Sequence, residues 1–86
     1  MDPIQEQHTT RFIVWYNHDG EKRAADIRKV NQDNQFYYKC RLFDGSELEI
    51  EPTTDESNKP SWKLLLGGIT ALTTKLGAAI EQHNSR

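Results

Sequence analysis

The sequence predicts an α+β fold, in which a four- to five-stranded antiparallel β-meander carries one C-terminal α-helix packed on one face. Short runs of β-favouring residues separated by turn-forming residues fill the first two thirds of the chain, and a helical stripe of apolar residues fills its end. A small, partly open β-barrel with a terminal helix is the alternative, because the first strand is apolar on both faces.

The 86 residues suffice for one domain. We place this domain at residues 11–83, after a flexible tail at 1–10 and before a frayed end at 84–86. One cysteine excludes an internal disulfide, the first residues lack the pattern of a signal peptide, and no apolar run approaches the ~20 residues of a membrane span. A cytoplasmic location is therefore the default expectation.

The first predicted strand, residues 11–17, contains five consecutive β-favouring residues and ends in a turn signal. A three-residue loop at 18–20 would set Ile13 opposite Ala25 in the next strand. This register places Ile13 and Trp15 on the inner face of the sheet, because side chains alternate between faces with a period of two.

Three further strands are predicted at residues 22–30, 35–43 and 46–52. A two-residue turn at Asp33 and Asn34 joins the first two of these, and a three-residue loop at 43–45 joins the last two. With these turns the apolar side chains fall on one face. The complete predicted inner face comprises Ile13, Trp15, Ala25, Ile27, Tyr38, Cys40, Leu42, Leu48 and Ile50.

The same register predicts a ladder of opposite charges on the outer face. Arg41 opposes Glu47 and Lys39 opposes Glu49, while Glu51 opposes a tyrosine. Such pairs stabilise a sheet by a few tenths of a kcal/mol each, so the glutamates are interpreted first as a solvated ladder.

Residues 61–86 allow two interpretations. One long helix would explain an apolar stripe that begins at Trp62. A short strand at 61–66, a break at Gly67 and Gly68, and a helix from about Thr70 to His83 would avoid the roughly 2 kcal/mol that two interior glycines cost a helix. We favour the strand followed by the helix, with Thr70 as its N-cap.

No catalytic, metal-binding or nucleotide-binding motif is present, and no cofactor or metal is expected. The leading hypothesis is a non-enzymatic protein-interaction or binding module. Its contact surface would be the second apolar face of the first strand, where Phe12, Val14 and Tyr16 lie, together with Tyr37 and Lys39 on the same face. A protein partner is expected and a membrane is not; no oligomeric state is predicted.

Three other functions compete with this hypothesis. A small molecule or peptide would bind between sheet and helix, against Trp15, Tyr38 and Trp62. Single-stranded nucleic acid would bind the basic and aromatic residues of the middle strands, although an overall pI of about 5.9 makes nucleic acid an unlikely partner. A small hydrolytic enzyme would need perturbed carboxylates among residues 47–51.

Overall fold

The computed structural model describes residues 10–85 and contains the predicted meander and helix. The elements are β1 Thr10–His18, β2 Glu21–Gln32, β3 Gln35–Arg41, β4 Glu47–Thr54, β5 Pro60–Leu64 and α1 Ala71–Asn84. The strands lie in chain order in one antiparallel sheet. Because α1 contacts both edge strands, β1 and β5, the sheet curls into a half-barrel around the helix. The α+β prediction is confirmed, and the observed curl also agrees with the partly open barrel.

The turns on either side of β3 have the predicted lengths. Asp33 and Asn34 form the two-residue turn between β2 and β3, with φ of 50° and 67°. The amide of Leu42 donates to the carbonyl oxygen of Ser46 at 2.8 Å, which closes a three-residue loop in which Gly45 has φ of 89°. Asn, Asp and Gly are the residues that adopt these left-handed conformations most readily.

The predicted three-residue loop at 18–20 is wrong. Asp19 and Gly20 alone form the turn, with φ of 53° and 81°, and His18 pairs with Glu21. Two consecutive positive φ values define the type I′ turn, whose twist matches that of the adjoining strands. Removing one residue from the loop moves every side chain of β1 to the other face of the sheet.

The corrected register buries the even-numbered residues of β1. Phe12 is half-buried, and Val14 and Tyr16 are each 4% exposed. Burial also raises the pKa of the Tyr16 phenol. Ile13 and Trp15, which were predicted to face inward, instead lie on the outer face and are 59% and 60% exposed.

The inner face of the remaining strands is as predicted. Its fully buried members are Ala25, Ile27, Tyr38, Cys40 and Ile50, and its half-buried members are Leu42 and Leu48. These side chains alternate with polar ones along each strand, which is the pattern expected of a sheet with one covered face.

Residues 61–64 adopt the strand that we favoured, which ends two residues earlier than predicted. β5 ends at Leu64, a turn follows in which the amide of Gly67 donates to the Leu64 carbonyl, and Thr70 caps the helix. The Thr70 hydroxyl accepts from the amide of Thr73 at 3.0 Å, and the Thr73 hydroxyl accepts from the amide of Thr70 at 2.9 Å. This reciprocal capping box fixes the point at which the helix begins.

α1 packs its apolar side into the half-barrel. Leu76 and Ile80 are fully buried, and the buried Thr73 hydroxyl lies 2.8 Å from the Trp62 carbonyl oxygen, to which it can donate. Gly77 faces the Trp62 ring so closely that a Cβ atom there would overlap the indole. The helix is thus seated directly on β5.

The ends of the domain differ from the prediction by one residue each. β1 begins at Thr10, which was assigned to the tail, and α1 continues to Asn84. The rest of the predicted tail, 1–9, lies outside the described residues, as does Arg86. Within the described part of the chain no helix has the length and apolar character needed to cross a membrane.

Candidate functional site

The outer side of β1 carries two large apolar side chains that the fold leaves exposed. Ile13 and Trp15 are adjacent on one face of the strand, and more than half of each is accessible to solvent. Their cross-strand neighbours on β2 are Asp26 and the small Ala24, so neither is covered from that side. We call Ile13 and Trp15 the edge patch.

The peptide groups of the edge patch face away from the sheet. Residues that flank a two-residue hairpin turn hydrogen bond to each other through both peptide groups, as His18 and Glu21 do here, and this bonding recurs at every second residue. The peptide groups of Val14 therefore bond to β2, whereas those of Ile13 and Trp15 do not. Because β1 is an edge strand, the N–H and C=O groups of Ile13 and Trp15 point towards the open side of the sheet.

A groove of about 450 Å³ runs along this open side between β1 and the C-terminal half of α1. Its lining residues are Ile13, Val14, Trp15, Lys22, Ala79, Gln82 and His83. Three consecutive strand residues can line one groove only at a strand edge, because successive side chains point to opposite faces. The His83 ring stacks on Phe12, with centroids 4.1 Å apart and planes within 5°, and this contact holds the helix end beside the groove.

A line of positive charges crosses the outer face next to the edge patch. The strand register places Arg11 beside Arg28, and Arg28 beside Lys39. We call these three residues the basic row. Glu49 lies beside Lys39 on β4, so the row ends on a carboxylate at one side and on Arg11 at the edge of the sheet. Like charges directly opposed across strands are destabilising.

Two ion pairs adjoin the basic row. Arg11 Nη2 lies 3.3 Å from Asp26 Oδ2, and Arg41 Nη2 lies 2.7 Å from Glu47 Oε2. The hydrogen bonds from Arg41 lower the pKa of Glu47. Together with the basic row these groups surround a shallow cup of about 100 Å³ on the outer face. The surface over β1–β3 is consequently positive, with Asp26 as its internal counter-charge.

The predicted charge ladder is present on the outer face. Arg41 opposes Glu47 and Lys39 opposes Glu49, as expected, and Glu51 pairs with Lys63 at 2.8 Å. Glu47 and Glu51 are thus each bonded to a cation. This arrangement is that of an ion-pair ladder and supplies no argument for the hydrolytic hypothesis.

The predicted contact residues do not form one surface. Val14 and Tyr16 lie in the core, and Phe12 is half-buried against His83 and Tyr38, because the turn at Asp19 and Gly20 is shorter than predicted. The prediction that these three side chains share a face with the rest of the outer surface is wrong. The exposed apolar face of β1 is formed by the edge patch instead.

Tyr37 and Lys39 do lie on the outer face. Lys39 is exposed, and Tyr37 is half-buried opposite Val30. Both residues belong to β3, the middle strand of the five, so they lie over the middle of the sheet rather than at its edge. Lys39 is part of the basic row, and Tyr37 lies two residues before it on the same face.

The structure does not bring together the predicted pocket residues. Trp15 lies on the outer face, whereas Tyr38 and Trp62 lie in the core with ring centroids 5.6 Å apart. The indole nitrogen of Trp62 donates to Glu81 at 2.8 Å, and Gly77 packs on the same ring. The space between sheet and helix is filled at this point. The predicted ligand site therefore lacks Trp15, one of its three residues, and has no room for a ligand beside the other two.

Two of the aromatic residues predicted to stack on nucleotides, Phe36 and Tyr38, lie on the other face from the basic row, whereas Tyr37 lies on the same face as the row. Phe36 and Tyr38 point inward, and the ammonium group of Lys29 lies 4.5 Å from the Phe36 ring centroid. Arg23 occupies a similar place over Phe43, at 4.6 Å. These rings and cations are engaged with each other, so they do not make the mixed basic and aromatic surface that single-stranded nucleic acid requires.

The histidines are dispersed through the structure. His18 lies in the first hairpin beside Asp19, His83 lies at the end of α1, and His8 lies outside the described residues. Within residues 10–85, no group of three or more His, Cys, Asp and Glu side chains is arranged to hold a metal ion.

Cys40 is buried in the centre of the sheet, as predicted. Desolvation raises the pKa of its thiol to about 12, from an ordinary value of 9.0. A thiol of this kind stays protonated at neutral pH and packs as a small hydrophobic group.

This raised pKa predicts a specific alkaline instability. Between pH 9 and pH 12 the thiol ionises only in the unfolded chain, so the free energy of unfolding should fall by up to about 1.4 kcal/mol per pH unit from this group. Below pH 9 the contribution is constant. The free energies of unfolding of the wild type and of Cys40→Ala, measured by urea denaturation at a series of pH values, should converge as the pH rises through this window. A difference between the two proteins that stays constant with pH would contradict the assignment.

Sequence reasoning missed the edge patch and the part that α1 plays beside it. The signal for the patch was present in the dipeptide Asp19-Gly20, since Asp-Gly is a strong indicator of a two-residue type I′ hairpin. The contribution of Ala79, Gln82 and His83 has no comparable signal, because it depends on where the helix docks.

No family model matches the chain, and no curated protein or solved structure matches it significantly.

Proposed function

We propose that this protein is a non-enzymatic protein-interaction module that binds its partner along the open edge of β1. The observation that carries the proposal is the coincidence, at Ile13 and Trp15, of exposed apolar side chains and outward-facing peptide groups. Exposed apolar clusters mark contact surfaces, and tryptophan is among the residues that contribute most to binding when a partner covers it.

The two edges of the sheet differ in a way that supports this proposal. Proteins protect edge strands from unwanted pairing by making them short or by placing proline and lysine in them. β5 has five residues, begins with Pro60 and carries Lys63. β1 has nine residues, contains no proline, and pairs with β2 without a bulge. Only the edge that carries the exposed apolar side chains lacks these protective features.

The proposal can be tested by selecting ligands for the full-length protein from a displayed library of random peptides. Binding should shift the emission of Trp15 to shorter wavelength, since the protein's other tryptophan, Trp62, is already buried. Trp15→Ser should weaken the selected ligands about thirtyfold or more, the effect of losing a binding hot spot of about 2 kcal/mol.

The matched control is Leu66→Ser. Leu66 is 96% exposed, so it is an equally apolar surface residue at a distant place, in the turn before α1. Ligand affinity should not change in this variant. Ligands that bind equally well to Trp15→Ser, or that depend on Leu66, would show that the edge patch is not the contact surface.

A further inference from the structure

We infer that the partner contributes an extended, acidic segment that joins the sheet as a sixth strand beside β1. This inference rests on the proposed function and specifies the chemistry of the partner. Its basis is the juxtaposition of three features: the peptide groups of the edge patch, which have no strand partner within residues 10–85, the groove between β1 and α1, and the basic row that ends at Arg11.

The backbone geometry favours a strand over a helix or a loop as the ligand. The N–H and C=O groups of Ile13 and Trp15 are spaced as in any antiparallel ladder, and an extended segment can satisfy all of them. Alternate side chains of that segment would lie beside Ile13 and Trp15 on the outer face. The intervening side chains would enter the groove that Ala79, Gln82 and His83 line.

The charge layout determines what the segment carries at its end. In antiparallel orientation, the residue two positions after the one beside Ile13 lies beside Arg11. Within residues 10–85, the basic row has a carboxylate at its β4 end, in Glu49, and none beyond Arg11. An Asp or Glu at this position would therefore relieve the opposition of like charges between Arg11 and Arg28. In chain order, the bound segment would therefore carry an apolar residue, any residue, an apolar residue, any residue and an acidic residue.

The same charges argue against a second copy of this protein as the partner. β1 has the sequence TRFIVWYNH, which contains no acidic residue. Antiparallel pairing of two β1 strands with Ile13 opposite Trp15 would place Arg11 opposite Asn17, so the basic row of each copy would gain no counter-charge. A segment from a different chain can supply the carboxylate that β1 lacks.

The test uses a synthetic peptide, Thr-Thr-Val-Thr-Ile-Thr-Glu, with blocked ends, and its counterpart in which lysine replaces the glutamate. Titration of the full-length protein should show at least tenfold tighter binding of the acidic peptide. Amide hydrogen exchange measured by NMR should slow at least tenfold at Ile13 and Trp15. The amide of Val14, which already bonds to Ala25, should change less.

A charge exchange supplies the matched control. Arg11→Glu should reverse the preference, so that the lysine peptide binds more tightly than the glutamate peptide. Arg11 is exposed and its only ion pair within residues 10–85 is with Asp26, so the variant should remain folded, as circular dichroism would verify.

Each other outcome overturns the inference in a distinguishable way. A shift of Trp15 emission without protection of the two amides would mean that side chains alone dock, and the interaction module would stand without strand addition. Protection that rises with protein concentration and needs no peptide would identify a second copy. If neither peptide binds at millimolar concentration, the added strand and its residue pattern are rejected. If the library yields no ligand whose binding depends on Trp15, the proposed function itself is rejected.

Discussion

Replacing Val14 by asparagine is expected to lower the free energy of unfolding by about 2.5–5 kcal/mol. The substitution removes a buried valine, worth about 1.5–2 kcal/mol, and leaves an amide in the core without partners, at a cost of about 1–3 kcal/mol. Val14 is 4% exposed and packs in the core cluster, so the strand cannot turn the amide to water. Urea denaturation followed by circular dichroism measures the loss.

The same substitution one residue earlier is the matched control. Ile13→Asn changes a side chain that is 59% exposed, and we expect a loss within about 1 kcal/mol, the span of β propensity in a host sheet. The pair of variants therefore reports the register of β1 directly. The opposite ranking, with Ile13→Asn the more damaging, would mean that the hairpin has a three-residue loop and that the faces are exchanged.

Replacing Gly77 by alanine is expected to destabilise the protein by about 2–3 kcal/mol, although alanine is preferred to glycine in helices by about 1 kcal/mol. The new Cβ would overlap the Trp62 ring, which the hydrogen bond to Glu81 and the contact with Tyr38 hold in place. The helix must therefore move away from β5. Chemical denaturation gives the loss of stability, and the near-ultraviolet circular dichroism of Trp62 should weaken.

Two controls separate this clash from helix propensity. Ala78→Gly, on the exposed side of α1, should cost only about 1 kcal/mol. In a Trp62→Leu background the clash is gone, so Gly77→Ala should become neutral or stabilising, and the double-mutant cycle should show a coupling of about 2 kcal/mol or more. Equal effects of Gly77→Ala in both backgrounds would contradict the close contact.

The docking of α1 also sets the groove beside β1. The helix contacts both edge strands, and on the β5 side Gly77 allows direct contact with Trp62. On the β1 side the His83 ring stacks on Phe12 near the helix end, and the groove lies beside this contact, between β1 and the C-terminal half of α1.

The hairpin between β3 and β4 shows how far local sequence goes. Gly45 requires a left-handed turn, the strand residues alternate between apolar and charged, and only an odd-sized loop keeps the two sets on separate faces. Two independent signals therefore agreed, and the register followed from them. β5 and the capped start of α1 were predictable for a similar reason, since Gly67, Gly68 and Thr70 mark the boundary between them.

The first hairpin shows where such reasoning fails. β1 is apolar on both faces, so its pattern is satisfied equally well by either register, and the loop length alone had to decide. A one-residue error there exchanged the buried residues Val14 and Tyr16 with the exposed residues Ile13 and Trp15. The predicted contact residues Val14 and Tyr16 were consequently assigned to the exposed face of β1, whereas they lie in the core.

The fold class, the order of the strands, the faces of β2–β4 and the start of the helix could be predicted from local sequence, because turn chemistry and the periods of strand and helix are local properties. Which apolar face of β1 is buried could not be predicted in this way, since it depends on which set of side chains α1 and the curled sheet can enclose. The position at which the helix docks, which sets the groove beside Ile13 and Trp15, likewise depends on tertiary contacts. These features depend on contacts between residues more than 60 positions apart, such as Phe12 and His83, which no local pattern encodes.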